Sequence, residues 1–238
     1  MDIFNVAEEE NKRKAILEAV ASYTVAITAE GKKTVWGTGT PIKFKQQFYI
    51  LTCLHVIDDE SLNENLRFIP RYNTSIEEVS KDVILRYPIR NTKKSYPVKL
   101  PIINRIVSDN IDHLVLLRLD PSVVNIRNFN FYEINENSKT PLIGSQVGMM
   151  GFSVELARKI ANLGPNVIGV GVFPYFDWSK IVSIKSNGLQ NFSKNKHFLI
   201  EYTKIPTSCD PRGLSGCGIW AHVNPGKIWS PNLRLVGV

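Results

Sequence analysis

The fold is inferred from residues 37–56, which read GTGTPIKFKQQFYILTCLHV. A turn of small residues leads into a strand, a loop follows, and an apolar strand over Phe48–Cys53 ends just before His55. Short runs of this kind, rich in Val, Ile, Thr, Tyr and Phe, recur between clusters of Gly, Pro, Asn and Lys. Many short strands with frequent turns indicate a β-barrel or a β-sandwich, and the pattern alone leaves both open. The other predicted strands are Tyr23–Ala29, Thr34–Thr38, Leu114–Leu119, Gln146–Met150, Val167–Phe173, Ile181–Ile184, Phe198–Tyr202, Gly218–His222 and Leu233–Val238.

Three segments depart from this strand pattern. Residues 7–22 predict one amphipathic helix, because apolar residues such as Ile16 and Val20 recur at helical spacing. Residues 58–109 are long and polar, and we expect one or two strands among surface loops. Residues 153–162 contain good helix formers and predict a short helix.

Length and composition indicate a packed globular protein. A chain of 238 residues is long enough for one large all-β domain or two small ones. Hydrophobic residues make up 43% and charged residues 21%, which excludes a disordered chain. No apolar run approaches the roughly 20 residues of a membrane-spanning helix, and the first residues lack the pattern of a secretory signal. We therefore predict a cytoplasmic protein without a membrane segment.

The charge distribution argues against a nucleic-acid-binding protein, and the cysteine content argues against a disulfide-rich or zinc-binding one. The net charge of +7 comes from scattered bases, which predicts a solvated basic surface and no nucleic-acid partner. Cys53, Cys209 and Cys217 are too few for a disulfide framework and lack the paired Cys-x-x-Cys steps of a zinc site. We predict three reduced thiols, with no metal and no organic cofactor.

A candidate nucleophile lies in residues 210–220, DPRGLSGCGIW. Acyl transfer needs backbone N–H groups directed at the oxygen that becomes negative, and tight glycine turns provide them. Gly213-Leu214-Ser215-Gly216 can form such a turn, with the N–H groups of Gly213 and Ser215 as donors. A plain β-turn with a capping serine is the alternative interpretation.

A serine nucleophile needs a base, and the base needs an orienting carboxylate. Among the four histidines, only His55 ends an apolar strand with small residues nearby and a polar loop after it. Asp112 opens the apolar strand in residues 110–119, NIDHLVLLRL, and is the candidate orienting acid, with Asp109 and Asp120 as competitors. Each residue alone also fits a structural role at a strand end.

Taken together, in the order His, Asp, Ser, these segments resemble the trypsin/chymotrypsin-like serine peptidases, particularly the bacterial and intracellular branch without disulfides. Residues 52–56, TCLHV, are similar to the family's Thr-Ala-Ala-His segment, and Gly37-Thr38-Gly39 is similar to the Gly-Ser-Gly strand before it. The other similar segments are Asp112–Leu116, Gly144–Phe152, Gly213–Gly216 and Leu235–Val238.

The resemblance implies a fold and an activity. It implies an all-β, chymotrypsin-like fold of two antiparallel β-barrels with a short N-terminal helix, and the triad in the cleft between the barrels. We expect the helix at residues 1–22, the first barrel with His55 and Asp112 at residues 23–125, and the second barrel with Ser215 at residues 126–238. The helix is expected either to make an interdomain contact or to cap the first barrel. The implied activity is that of a serine endopeptidase acting on protein or peptide substrates.

The sequence departs from the family at several positions. Leu214 stands where secreted members have an aspartate that pairs with a freed N-terminus, so activation by that salt bridge is not expected. Gly216-Cys217-Gly218 follows the serine in place of Gly-Gly-Pro or Gly-Pro, and Cys217 is expected to be a packing residue. The strand after Asp112 has one extra apolar residue. Family members continue beyond the point matched by Val238, so we expect a longer protein or a differently built pocket.

The substrate pocket is the least defined part of the prediction. By the same matching its residues are Cys209, Asp210 and Arg212, and Asp210 would favour a basic substrate side chain. The alternative is that Asp210-Pro211 forms only a turn. The departures motivate a second functional hypothesis, an inactive member of the fold that binds a protein partner. Besides a substrate, the expected partners of this chain are other domains of a longer protein or a regulatory partner.

Overall fold

A computed structural model shows a chain built mainly of short strands in two sheets. It describes residues 3–29, 37–57, 66–70, 102–107, 113–124, 130–134, 142–152, 174–183, 192, 197–201, 212–223 and 232–238. The helices are α1 (Ile3–Ser22), α2 (Leu54–Ile57) and α3 (Pro121–Val124), and the strands are β1 (Val25–Ala29), β2 (Gly37–Phe44), β3 (Gln47–Cys53), β4 (Leu66–Pro70), β5 (Ile102–Val107), β6 (Leu114–Leu119), β7 (Tyr132–Glu133), β8 (Gln146–Phe152), β9 (Pro174–Ser183), β10 (Leu199–Ile200), β11 (Ile219–His222) and β12 (Leu233–Gly237).

The first sheet has the order β4-β1-β2-β3-β6-β5, and its neighbours along this path run antiparallel. β2 and β3 form a hairpin whose turn residues, Lys45 and Gln46, both have positive φ, as a two-residue hairpin turn requires. Side chains on β6 alternate between buried and half-buried, as expected when one face of a strand covers a core. The core of this sheet consists of Val25, Ile27, Ile50, Val56, Ile57, Val115, Leu117 and Leu119.

The second sheet has the antiparallel order β10-β9-β8-β11-β12. The loop before β11 contributes Leu214 and Cys217 to its core, so this loop is anchored by apolar side chains on both sides of Ser215. The full cluster consists of Val147, Met149, Ile181, Leu214, Cys217, Ile219 and Ala221.

Helix α1 covers the second sheet near its border with the first. Its buried residues Ile16, Leu17, Val20 and Ala21 pack with Met150 and Trp220 of β8 and β11. The Trp220 ring stacks on Tyr23, which precedes β1, and meets the edge of Tyr132 in β7. Helix α1 therefore lies against the second sheet, and Tyr23 directly after it contacts Trp220 of that sheet.

The predicted all-β class, with two antiparallel units and an N-terminal helix, is confirmed. Leu114–Leu119 was predicted with the bounds that β6 has, and residues 58–109 contain two described strands, β4 and β5. The helix begins earlier than predicted, at Ile3. The sequence has a weak helix signal there, because Ile3, Phe4 and Val6 have low helix propensity. Strand β9 begins at Pro174 and not at Ile181.

Two predicted elements and the domain boundaries have no test in this structure. The predicted strand at residues 167–173 and the predicted helix at residues 153–162 lie outside the described residues. The boundary at residue 125 stays a prediction, and β7, which follows it, pairs with β2 of the first sheet.

The first sheet closely approaches the serine loop at Gly216. A Cβ atom added there would lie 2.1 Å from the carbonyl oxygen of Thr38 and 2.5 Å from Oγ1 of Thr52. Its φ of +87° is also in the region that glycine tolerates and L-residues avoid. Glycine is therefore required at this position both by backbone conformation and by the backbone of the facing sheet.

Gly216→Ala should lower the free energy of unfolding by about 2 kcal/mol more than Gly144→Ala does, because overpacking against a fixed backbone adds to the strain of a positive φ. Gly144 is a matched control, since its φ is +85° and a Cβ there would meet nothing within 4 Å. Urea unfolding of both variants measures the difference, and equal losses would contradict the close approach at Gly216.

Candidate active site

His55 is presented by a helical turn at the end of β3. β3 ends at Cys53 and α2 begins at Leu54, whose N–H donates a hydrogen bond of 2.6 Å to the carbonyl of His113. Val56 and Ile57, the next residues, are buried in the core of the first sheet. Their burial fixes the turn, so that the imidazole of His55 remains exposed at the edge of the sheet.

Ser215 is presented by the glycine-flanked loop before β11. Leu214 is only 8% exposed and Cys217 only 6%, because both side chains belong to the core of the second sheet. Gly213 has a φ of +95° and Gly216 a φ of +87°, so two left-handed residues bend the backbone on either side of the serine. The Ser215 side chain, itself half-buried, is directed toward the first sheet.

The structure brings His55 and Ser215 together. Nε2 of His55 lies 2.8 Å from Oγ of Ser215, across the border between the two sheets. This distance is within the range of about 2.6 to 3.2 Å in which an imidazole can take the proton of a hydroxyl. With its own proton on Nδ1, the ring accepts the Oγ–H hydrogen bond and leaves Nδ1–H for an orienting acceptor.

The backbone of the serine loop leaves the two predicted donor amides without a described acceptor. The carbonyl of Leu214 accepts a hydrogen bond of 2.9 Å from the N–H of Cys217. Because a trans peptide directs its N–H away from its C=O, this bond also orients the N–H of Ser215. Among the described residues, neither that N–H nor the N–H of Gly213 donates to a backbone carbonyl. The turn can therefore offer both amides to an oxyanion.

Three buried threonines of the first sheet hold this loop, and we call Thr38, Thr40 and Thr52 the threonine clamp. Each has an exposure of 0%. The hydroxyl of Thr38 donates to the carbonyl of Gly213 at 2.8 Å, and that of Thr40 to the carbonyl of Gly216 at 3.1 Å. The hydroxyl of Thr52 donates to the carbonyl of Thr38 at 2.8 Å. The clamp thus joins the first sheet to the loop on both sides of the serine.

The hydrogen-bonding role of the clamp was not predicted from the sequence. Thr38 was considered only as part of a Gly-Thr-Gly segment, and Thr40 and Thr52 were given no function. Thr38 and Thr40 are two apart on one strand and therefore share a face, which is the signal that the sequence contained. That this face meets the serine loop depends on how the sheets pack, and no local pattern encodes it.

Asp120, one of the three candidate acids, is excluded as the partner of His55. Its carboxylate accepts hydrogen bonds from the N–H of Ser122 at 2.9 Å and from its Oγ at 2.7 Å, and so caps α3. These bonds lower its pKa. Asp120 also follows the far end of β6, about 20 Å from the end next to Cys53 at about 3.3 Å per residue. Asp109 and Asp112 lie outside the described residues.

Of the predicted pocket residues, only Arg212 is described. It is exposed and directly precedes Gly213. Cys209 and Asp210 lie outside the described residues, so the predicted preference for a basic substrate side chain has no test here.

Cys53 and Cys217 are both free thiols beside the Ser–His pair. Burial raises the pKa of Cys53, an effect that a hydrogen bond from the backbone of Gly216 opposes. Burial, together with the nearby Cys53, raises the pKa of Cys217 to about 12. Both thiols are therefore neutral near pH 7, and a neutral thiol is a poor nucleophile. Cys217 packs in the core of the second sheet, in agreement with its expected packing role.

A cluster of metal ligands and a membrane-spanning helix are both absent from the described residues. In that part of the chain, no three His, Cys, Asp or Glu side chains come together as metal ligands. None of the described helices combines the length and the apolar character needed to cross a bilayer.

The fold consists of two antiparallel sheets, and His55 and Ser215 meet at the border between them. Neither a protein-family model nor a curated protein matches the chain. Among solved structures it is similar to human heparin binding protein, with 11% identical residues and a TM-score of 0.49, over 83% of this chain and 74% of that one.

The raised pKa of Cys217 predicts a loss of stability at high pH. Between its unfolded value near 9.0 and its folded value of about 12, the unfolded chain loses the proton first, so the free energy of unfolding falls as pH rises. In this range, the thiol lowers the free energy of unfolding by up to about 1.4 kcal/mol for each pH unit. Urea unfolding between pH 7 and pH 10.5 should show a shallower decline for Cys217→Ala than for the wild type. Parallel curves would contradict the prediction.

Proposed function

We propose that the chain is a serine endopeptidase that hydrolyses protein or peptide substrates through an acyl-enzyme. Ser215 is the nucleophile, His55 the general base and acid, and the N–H groups of Gly213 and Ser215 the oxyanion donors. The observation that carries the proposal is the 2.8 Å contact between Nε2 of His55 and Oγ of Ser215, at a turn where two amides donate to no backbone carbonyl of the described residues.

The proposed reaction follows from this geometry. Oγ of Ser215 attacks the scissile carbonyl carbon while its proton passes to Nε2 of His55, and the carbonyl oxygen takes the negative charge between the two amides. The carbon–nitrogen bond then breaks, and the departing amine takes the proton from His55. A water molecule repeats the sequence on the ester, and Ser215 regains its proton.

Asp112 is the proposed orienting acid. Its neighbour in sequence, His113, accepts the hydrogen bond from Leu54, which is the neighbour of His55. His113 also has a φ of +49°, a conformation uncommon for residues other than glycine and often found at functional sites. Both observations concern the residue next to Asp112 and favour it over Asp109.

The setting of the protein is also part of the proposal. We place it in the bacterial and intracellular, disulfide-free branch of the trypsin/chymotrypsin-like peptidases and in the cytoplasm, supported by the two free thiols Cys53 and Cys217. Other domains of a longer protein, or a regulatory partner, would control access to the crevice.

Ser215→Ala should abolish labelling by a fluorophosphonate probe and all cleavage in a peptide-library screen, because the attacking oxygen is removed. Its melting temperature should stay close to that of the wild type. Ser122→Ala, which removes an exposed hydroxyl at α3, is the matched control and should be labelled normally. Absence of labelling in the wild type would contradict the proposal and favour the alternative, an inactive member of this fold that binds a protein partner.

Asp112→Asn should lower the acylation rate by about 10⁴-fold, because the amide holds the imidazole in the wrong tautomer. Asp109→Asn is the matched control and should change the rate by less than about threefold, within the range of a surface substitution. Stopped-flow measurement of fluorophosphonate labelling gives both rates. The opposite ranking of the two variants would assign the orienting role to Asp109.

A further inference from the structure

We infer that Thr38 is a positioning residue that sets the orientation of the oxyanion turn, an inference that rests on the proposed function. Thr38 lies on β2 in the first sheet and touches no reacting atom. It nevertheless makes four hydrogen bonds, of which two hold the serine loop at Gly213 and Ser215 and the others join it to Phe152 and Thr52.

The polar groups of Thr38 are all used, and three of the four bonds reach the second sheet. Its N–H donates to the carbonyl of Ser215 at 3.0 Å, and its hydroxyl donates to the carbonyl of Gly213 at 2.8 Å. The same hydroxyl oxygen accepts a bond of 2.9 Å from the N–H of Phe152 in β8. Its carbonyl accepts the bond from Thr52.

Gly213 needs such an external anchor. A glycine has no side chain to bury, and its backbone passes between conformations that other residues cannot reach. Its φ of +95° is therefore not enforced by the residue itself. Leu214, the next residue, is fixed by burial in the core, and its carbonyl is bonded to Cys217. The peptide between Gly213 and Leu214 is held on its carbonyl side by the Thr38 hydroxyl.

This peptide unit separates the two proposed oxyanion donors. The N–H of Gly213 precedes it and the N–H of Ser215 follows it, so its orientation sets how the two amides converge. The hydroxyl oxygen of Thr38 accepts a hydrogen bond from the N–H of Phe152 and donates its single proton to the carbonyl of Gly213. The bond from Phe152 therefore fixes the direction in which the hydroxyl donates. Through Thr38, the positions of β8 and of the first sheet therefore determine the orientation of the turn.

Thr38→Val tests the inference, because valine keeps the shape and the backbone bonds and removes only the hydroxyl. Misplacement of a catalytic group by 1 Å can cost about 100-fold in rate. We expect the maximal rate constant of fluorophosphonate inactivation, kinact, to fall about 10- to 100-fold, with the half-saturating concentration KI unchanged. Thr38→Ser keeps the hydroxyl and should restore kinact to within about threefold of the wild type.

Thr24→Val is the matched control for a purely structural effect. Thr24 is also buried, at 2% exposure, and its hydroxyl donates to the carbonyl of Val20 at 3.0 Å, at the end of α1 and away from the crevice. It should lower the melting temperature and leave kinact within about twofold of the wild type. The inference is overturned if Thr38→Val keeps kinact within about threefold, or if Thr24→Val loses as much rate for the same loss in melting temperature.

A readout independent of activity separates this inference from the proposed function. In ¹⁵N-labelled protein, the amides of residues 213–216 should show microsecond-to-millisecond exchange broadening in Thr38→Val and none in the wild type or in Thr38→Ser. If the wild type is not labelled by the probe, the proposed function fails, and the broadening still decides whether Thr38 holds the turn. Unchanged amide spectra in Thr38→Val overturn the inference in either case.

Discussion

The arrangement of the crevice depends on hydrogen bonds between buried threonine hydroxyls of one sheet and backbone carbonyls of the other. Thr38 and Thr40 bind the carbonyls of Gly213 and Gly216, on the two sides of Ser215. Buried carbonyls without partners are destabilising, so the two sheets satisfy these groups only when they are correctly docked. The docking that satisfies them is also the docking in which Ser215 meets His55.

Apolar packing also holds the loop that carries Ser215 in place. Leu214, directly before Ser215, is buried in the core of the second sheet. Burial of a leucine side chain stabilises by about 1.5 to 3 kcal/mol. Hydrophobic packing in the second sheet and hydroxyl hydrogen bonds from the first sheet therefore hold the loop together.

The features that the sequence could predict are those whose signals are local. The helix, the strand at Leu114–Leu119 and the segments around His55 and Ser215 carry their patterns in a few adjacent residues. Strand β9 was recognised only at its end because Ser179, a polar residue, is buried there and bonded to the carbonyl of Glu201. The clamp and the packing of α1 on the second sheet depend on residues far apart in the chain, so local spacing shows which residues share a face but not what that face contacts.

The close approach at Gly216 has a mechanical consequence. The backbone of one sheet there rests against the backbone of the other with no side chain between them, so the seam has little room for compression or lateral slip. A relative slide of the two halves would lengthen the contact between the imidazole and the hydroxyl while every hydrogen bond within each sheet survived. The tight contact at Gly216 therefore helps to keep the distance between Nε2 of His55 and Oγ of Ser215 fixed.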